Sequence, residues 1–146
     1  GVPVGPKFGQ LHDGEPVELD DGTVVHPDDV VGDPRPGRRF VYTGDTRPVD
    51  ATVAVAEEPD LLVHDATFDD EWAERARRTG HATGREAAEV ATRAGATQLG
   101  LVHVSSRYAG DASSIEHEAA SAAADGTEVF LPDDGHTIEV PFPDEV

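Results

Sequence analysis

The sequence predicts an α/β fold of mostly parallel strands with covering helices and an N-terminal β-hairpin. Apolar, strand-like runs at residues 38–43, 61–64 and 99–104 alternate with helix-like segments, and a repeated strand, helix, strand order implies parallel pairing through crossovers. Each run also leads directly into Asp or His. The three stretches are Val41-Tyr42-Thr43-Gly44-Asp45-Thr46, Leu61-Leu62-Val63-His64-Asp65-Ala66-Thr67-Phe68 and Leu99-Gly100-Leu101-Val102-His103-Val104-Ser105. Parallel strands bring their carboxyl ends to one edge of the sheet, where open α/β sheets place their ligands.

Taken in order, residues 1–6 are Gly/Pro punctuation, and residues 16–25 read as two short strands around the Asp21-Gly22 turn. Residues 27–37 form a loop with three prolines, and the first buried-type strand follows at 38–43. Residues 49–58 carry a weak helical pattern, and 69–78 a helix opened by aspartates and closed by Arg75, Arg77 and Arg78, where the helix dipole favours cations. Thr83-Gly84-Arg85-Glu86 is a capping box; Ala87, Val90, Ala91 and Ala94 then form the apolar stripe of a helix closed by Gly95. Beyond the 99–104 strand, Ser113 with Glu116 predicts a second capping box and an Ala-rich helix running to Gly126. Residues 128–131 and 137–140 read as two strands joined by Pro132-Asp133-Asp134-Gly135.

Composition narrows the function classes. Leu, Ile, Val and Phe make up only about a fifth of the 146 residues, and 19 alanines supply further apolar surface, so the expected core is thin. Against 30 acidic residues stand 11 basic ones, ten of them arginine, for a net charge of −19. Such a surface suits a salt-accumulating cell, because the Debye length falls to about 3 Å near 1 M salt. The same charge argues against a polyanionic partner, which calls for a basic footprint. The absence of cysteine excludes disulfides, Fe–S clusters and thiolate zinc sites, leaving His, Asp and Glu as metal ligands. No apolar stretch approaches membrane-spanning length and no signal-peptide pattern opens the chain, so a soluble, cytoplasmic protein is expected. Without a methionine, even at residue 1, the chain reads as a piece of a longer protein.

The strand-end residues carry the chemistry, each with a plainer reading beside it. Asp45 follows Gly44, which lets the chain turn sharply; its carboxylate either makes a turn hydrogen bond or faces a ligand. His103 is either a satisfied strand-end histidine or a metal ligand through one nitrogen, the other held by an acceptor. His64 and Asp65 face opposite ways on an extended strand, and only a turn lets both serve one site. His81 stands two residues before a capped helix, whose N-terminus disfavours imidazolium, so a nearby carboxylate such as Asp65 is needed for it to donate a proton. Arg107 is either an exposed surface arginine or a bidentate phosphate ligand. There is no Walker loop, GxGxxG turn or GxSxG elbow.

The ordered set Gly1-Val2-Pro3-Val4-Gly5-Pro6, Tyr42-Thr43-Gly44-Asp45-Thr46, His64-Asp65-Ala66-Thr67-Phe68, His81-Ala82-Thr83 and His103-Val104-Ser105-Ser106-Arg107-Tyr108 resembles the C-terminal half of the ribonuclease Z family, tRNA 3′-processing endonucleases of the metallo-β-lactamase superfamily. The resemblance implies half of an αββα sandwich, with residues 1–37 as hairpin and loop, 38–146 as strand and helix units, and the N-terminal half absent. It implies two zinc ions in a complete site, with Asp45 bridging them and His103 a ligand of the second. His81 would protonate the leaving 3′-oxygen, assisted by Asp65, in a position more often Glu, with His64 beside it; Ser105 and Arg107 would contact substrate. Ala82 replaces a usual Ser. Precursor tRNA as substrate and a homodimer follow from the same resemblance. The family's His-x-His-x-Asp-His cluster is not in this chain, so the chain alone is expected to be inactive, since two-metal hydrolysis needs both ions clamped about 3.5–4 Å apart. Two alternatives stay open: another hydrolase of this fold acting on a small ester, and a non-catalytic fragment that pairs with a partner subunit.

Overall fold

Two units, Gly1–Pro36 and Gly37–Val146, make up the computed structural model, which describes residues 2, 4–32 and 36–142. Gly1, Pro3 and residues 33–35, on which part of the expected opening segment and of the 27–37 loop fall, lie outside the described residues.

In the first unit the expected hairpin is present: β1 (Val17–Glu18) pairs antiparallel with β2 (Val24–Val25), and Gly22 adopts the left-handed conformation the turn requires, φ 84°. Two helices flank it that the Gly/Pro-rich sequence does not announce: α1 (Pro6–His12) and the single turn α2 (Pro27–Val30). Both start on a proline, whose missing N–H costs nothing in the first helical turn. Leu11 and Val17 are buried, and Lys7 reaches the Glu18 carbonyl at 2.7 Å.

The second unit is a sheet of four parallel strands, β3 (Phe40–Tyr42), β4 (Leu61–Asp65), β5 (Gln98–Val102) and β6 (Glu128–Phe130), adjacent in that order. Because each strand pairs with the next in sequence, right-handed crossovers put the connecting helices on one face. That layer comprises α3 (Asp50–Ala56), α5 (Gly84–Ala94) and α6 (Ser113–Ala122). The register places Leu62 beside Leu99 and His64 beside Leu101 on the helix side, where Leu62, Leu99 and Leu101 pack with Ala87, Ala88, Val90, Ala91, Ile115 and Ala119. On the other face Val63, Gly100 and Phe130 lie in register, and Phe40 and Tyr42 are 61% and 62% exposed.

Helix α5 matches its sequence signature at both ends. The Thr83–Glu86 capping box forms reciprocally, and Gly95 closes the helix at φ 72° while the Ala96 N–H donates to the Ala91 carbonyl. Its first residue, Gly84, lies so close to α6 that a Cβ would overlap the Ile115 carbonyl oxygen. The helix expected over 69–78 divides into a 3-10 turn, Asp70–Trp72, and α4 (Ala73–Thr79).

Three expectations need correction. Ser113 and Glu116 form no capping box; the Asp111 carboxylate takes the Ser113 N–H at 2.9 Å, and the Ser113 side chain, with that N–H, holds its pKa below the ordinary value. Helix α6 stops at Ala122, four residues before Gly126, where Ala123 turns extended and the Thr92 hydroxyl captures the Ala124 N–H at 3.0 Å. Residues 137–140 form no strand. The chain beyond β6 crosses instead toward the opposite edge, where Arg38 donates to the Val140 carbonyl at 2.9 Å and lies 4.3 Å above the Phe142 ring.

Gly84→Ala is expected to destabilise the chain by about 1–3 kcal/mol, the usual cost of overpacking, as a lower urea midpoint at fixed salt. His64 gives a pH signature. Burial pushes its imidazole below the ordinary 6.5, outweighing the Asp65 carbonyl and the Asp65 charge, which act to raise it. A base depressed on folding contributes stability that is complete above pH 6.5 and lost as pH falls through its folded value. His64→Leu should therefore cost about 1 kcal/mol at pH 7, through the lost hydrogen bond, with the deficit shrinking toward pH 5; urea midpoints across that range measure it.

Candidate metal and acid–base site

The carboxyl ends of β3, β4 and β5 meet as the parallel register requires. Gly44, at φ 63°, turns the chain after β3 and presents Asp45. Asp65 ends β4 and is fully buried. Past β5, His103 takes φ 64°, a conformation rare for a residue with a Cβ. Such an outlier persists only where surrounding contacts hold it. His81 arrives from α4 through Gly80 (φ 82°), and a parallel bridge between Phe68 and Thr83 lays its segment beside the exit from β4.

Asp65 organises what gathers there. One carboxylate oxygen accepts from the Thr67 N–H (3.0 Å), the Thr67 hydroxyl (2.8 Å) and the Ala82 N–H (3.1 Å). The other accepts from the Thr46 N–H (3.2 Å) and from His81 Nδ1 (2.7 Å). Burial acts to raise the Asp65 pKa, yet the bonds from His81, Ala82 and Thr67 together outweigh it and hold it below the ordinary 3.8. Asp65 is therefore an anion at neutral pH, and its side chain spans the gap to His81 although it is one methylene shorter than Glu. Ala82 contributes its backbone N–H, so the missing serine leaves the carboxylate satisfied.

Thr67 links this pair to the second histidine. Its hydroxyl proton is committed to Asp65, so its oxygen accepts from His103 Nδ1 at 2.7 Å. That fixes the His103 tautomer and leaves Nε2 carrying a lone pair, 3.2 Å from an Asp45 carboxylate oxygen. Two acceptors at that distance call for a cation between them, a proton or a metal ion. Two donors on one tetrahedral zinc, with bonds of about 2.0–2.1 Å, also stand about 3.3 Å apart. The spacing of this Asp45–His103 pair is therefore one that a metal ion can occupy, and two donors leave the rest of a coordination shell to be filled. The His81 and His103 rings stack at 4.9 Å with planes 17° apart, and donor atoms of Asp65, His81 and His103 all lie within 4.8 Å of one another.

Of the seven residues singled out from sequence, Asp45, Asp65, His81 and His103 come together. His64 does not. Its ring lies on the helix-packed face, fully buried, with Nδ1 2.8 Å from the Asp65 carbonyl and Nε2 without a partner among the described residues. The Ser105 hydroxyl takes the Arg107 N–H at 3.5 Å, opening a 3-10 turn over Ser106–Tyr108, and the Arg107 side chain extends to Trp72. Sequence reading missed Thr67. The signal was present, since an Asp with a Thr two residues on at a strand end is an Asx-turn pattern.

The beta-lactamase superfamily domain model matches residues 22–104. Ribonuclease Z of Halorubrum lacusprofundi is 69% identical over 99% of this chain and 46% of its own length, and that of Natronomonas pharaonis 67% identical with the same coverage. The chain thus spans about half the length of the curated relatives it matches. Among solved structures, the short form of human tRNase Z is 31% identical, with TM-score 0.57 over 82% of this chain and 37% of that one. The metallo-beta-lactamase fold protein YhfI of Bacillus subtilis is 28% identical, with TM-score 0.59 over 66% of this chain and 38% of that one. Sequence and fold agree: the chain belongs to the beta-lactamase superfamily, and it is similar there to ribonuclease Z along nearly its whole length.

Proposed function

We propose that this chain is the C-terminal half of a zinc-dependent endoribonuclease that removes the 3′ trailer from precursor tRNA. The observation that carries the reading is the fully buried carboxylate of Asp65, which holds His81 directly and His103 through Thr67, so that the proposed proton donor and the proposed metal ligand share one anchor. Likeness to ribonuclease Z at up to 69% identity supports the substrate.

Asp45 and His103 would hold zinc, which when bound activates water and stabilises charge on the phosphodiester. The remaining ligands belong to an upstream half. The helix-free sheet face, with Phe40 and Tyr42 exposed, offers that half an apolar surface, as the second sheet of an αββα sandwich needs. His81, with Nδ1 held by Asp65, keeps Nε2 free to give a proton to the departing 3′-oxygen, and the Asp65 anion stabilises the imidazolium that precedes transfer. Arg107 contacts substrate, while Ser105 positions it by capping its turn. His64, in this reading, acts only by holding the Asp65 peptide. The acidic surface suits a cytoplasm of high salt, where a homodimeric enzyme would meet tRNA with its charge screened. No helix among the described residues is long and apolar enough to cross a membrane.

In the longer protein, His81→Ala should lower precursor tRNA cleavage by about 10²–10⁴-fold with zinc content unchanged, and Asp65→Asn should do nearly as much. Cleavage that survives His81→Ala would reject the assignment and favour an ester hydrolase. The 146-residue chain alone should hold less than one tightly bound zinc after dialysis, by elemental analysis. Two retained ions would overturn the account of a missing ligand set.

A further inference from the structure

Beyond His81 lies a cluster that the proton and metal chemistry does not use. The Phe68 ring stands edge-on to His81, with centroids 6.3 Å apart and planes at 73°. Arg107 lays its guanidinium 3.9 Å above the Trp72 ring and 5.8 Å from Phe68, and Arg75 lies 6.0 Å from Phe68. Trp72 is 38% exposed. The turns that carry these groups are pinned. Tyr108 Oη accepts the Asp69 N–H at 3.1 Å, tying the Ser106–Tyr108 turn to the Asp70–Trp72 turn. Asp70 in turn receives Arg85 Nε at 2.5 Å and gives its N–H to Glu118 at 2.8 Å.

Among the described residues only Lys7, Arg85 and Arg93 of the Lys and Arg side chains form a salt bridge, so Arg75 and Arg107 are not committed to a carboxylate, and what sets Arg107 apart is the indole beneath it. Arg107 rests one face on indole, and the residue as a whole is exposed. A guanidinium plane supported in this way is a surface on which an unpaired base stacks.

We propose that Trp72 and Arg107, flanked by Phe68 and Arg75, form a stacking platform for an unpaired nucleobase of single-stranded RNA beside His81. The placement next to the reacting bond rests on the nuclease reading; the binding itself does not. Stacking resolves the conflict between an acidic protein and a polyanion. Phosphate contacts fade as salt rises, whereas base stacking needs no excess of positive charge.

Trp72 is the chain's single tryptophan, so its fluorescence reports the platform directly. Titration of the 146-residue chain with hexa-adenylate at 0.5 M and 2 M KCl should quench it saturably, with Kd rising less than about 3-fold between the two salts. A 12-base-pair RNA duplex and inorganic phosphate should leave it unchanged. Arg107→Lys, which keeps the charge and loses the plane, should weaken binding about 10-fold. In the longer protein, anisotropy of labelled hexa-adenylate should rank wild type above Trp72→Phe and that above Trp72→Ala, with helical circular dichroism retained. Equal quenching by phosphate or duplex, unchanged affinity in Arg107→Lys, or no binding by either readout would overturn the platform. Loss of hexa-adenylate binding with His81-dependent cleavage intact rejects the platform alone, and binding without such cleavage rejects the nuclease reading alone.

Discussion

A buried carboxylate with every lone pair occupied governs this molecule. Asp65 has no exposure to water, and an isolated anion in that position would take up a proton. It stays charged because it accepts five hydrogen bonds from three segments: the turn after β3, its own exit loop and the His81-Ala82 stretch. Each donor is thereby fixed in space. The strand ends are brought close by the parallel register, but the anion converts closeness into defined geometry, selecting the nitrogen that faces outward on His81 and, through Thr67, on His103.

The two histidines are coupled by stacking as well as by this shared anchor, since their rings lie nearly parallel at 4.9 Å. Their partners differ: His81 Nδ1 lies on Asp65, whereas His103 places Nδ1 on Thr67 and Nε2 3.2 Å from Asp45, which is what the proposed division into a proton-carrying and a metal-binding imidazole rests on. The left-handed backbone of His103 breaks the alternation of β5; a continued strand would have directed its side chain out from one face of the sheet.

Much of this was legible from the residues. Apolar runs ending in Asp45, Asp65 and His103 located the edge, because parallel strands leave no freedom over where their ends meet. The α5 boundaries were legible too, since capping boxes and closing glycines act locally. What sequence could not supply were features decided by long-range competition. Ser113 lost its capping role to Asp111, and α6 ended early because Thr92, from another helix, took the next N–H. Residues 137–140 have a strand's composition, but Arg38, about a hundred positions away in sequence, draws them past the sheet edge. The opposite faces taken by His64 and Asp65, by contrast, follow from strand alternation alone and were legible in the sequence.

The alanine-built packing of α5 and α6 in the core has a thermal consequence. An alanine loses no side-chain rotamer freedom on burial, so a core that uses Ala87, Ala88, Ala91 and Ala119 where others use leucine orders fewer torsions. It also withdraws less apolar area from water, and the heat capacity of unfolding scales with that area. The stability curve of such a domain is correspondingly shallow, with folding free energy changing little across a wide span of temperature, so that cooling and warming both perturb it less than they perturb a leucine-packed domain of equal length.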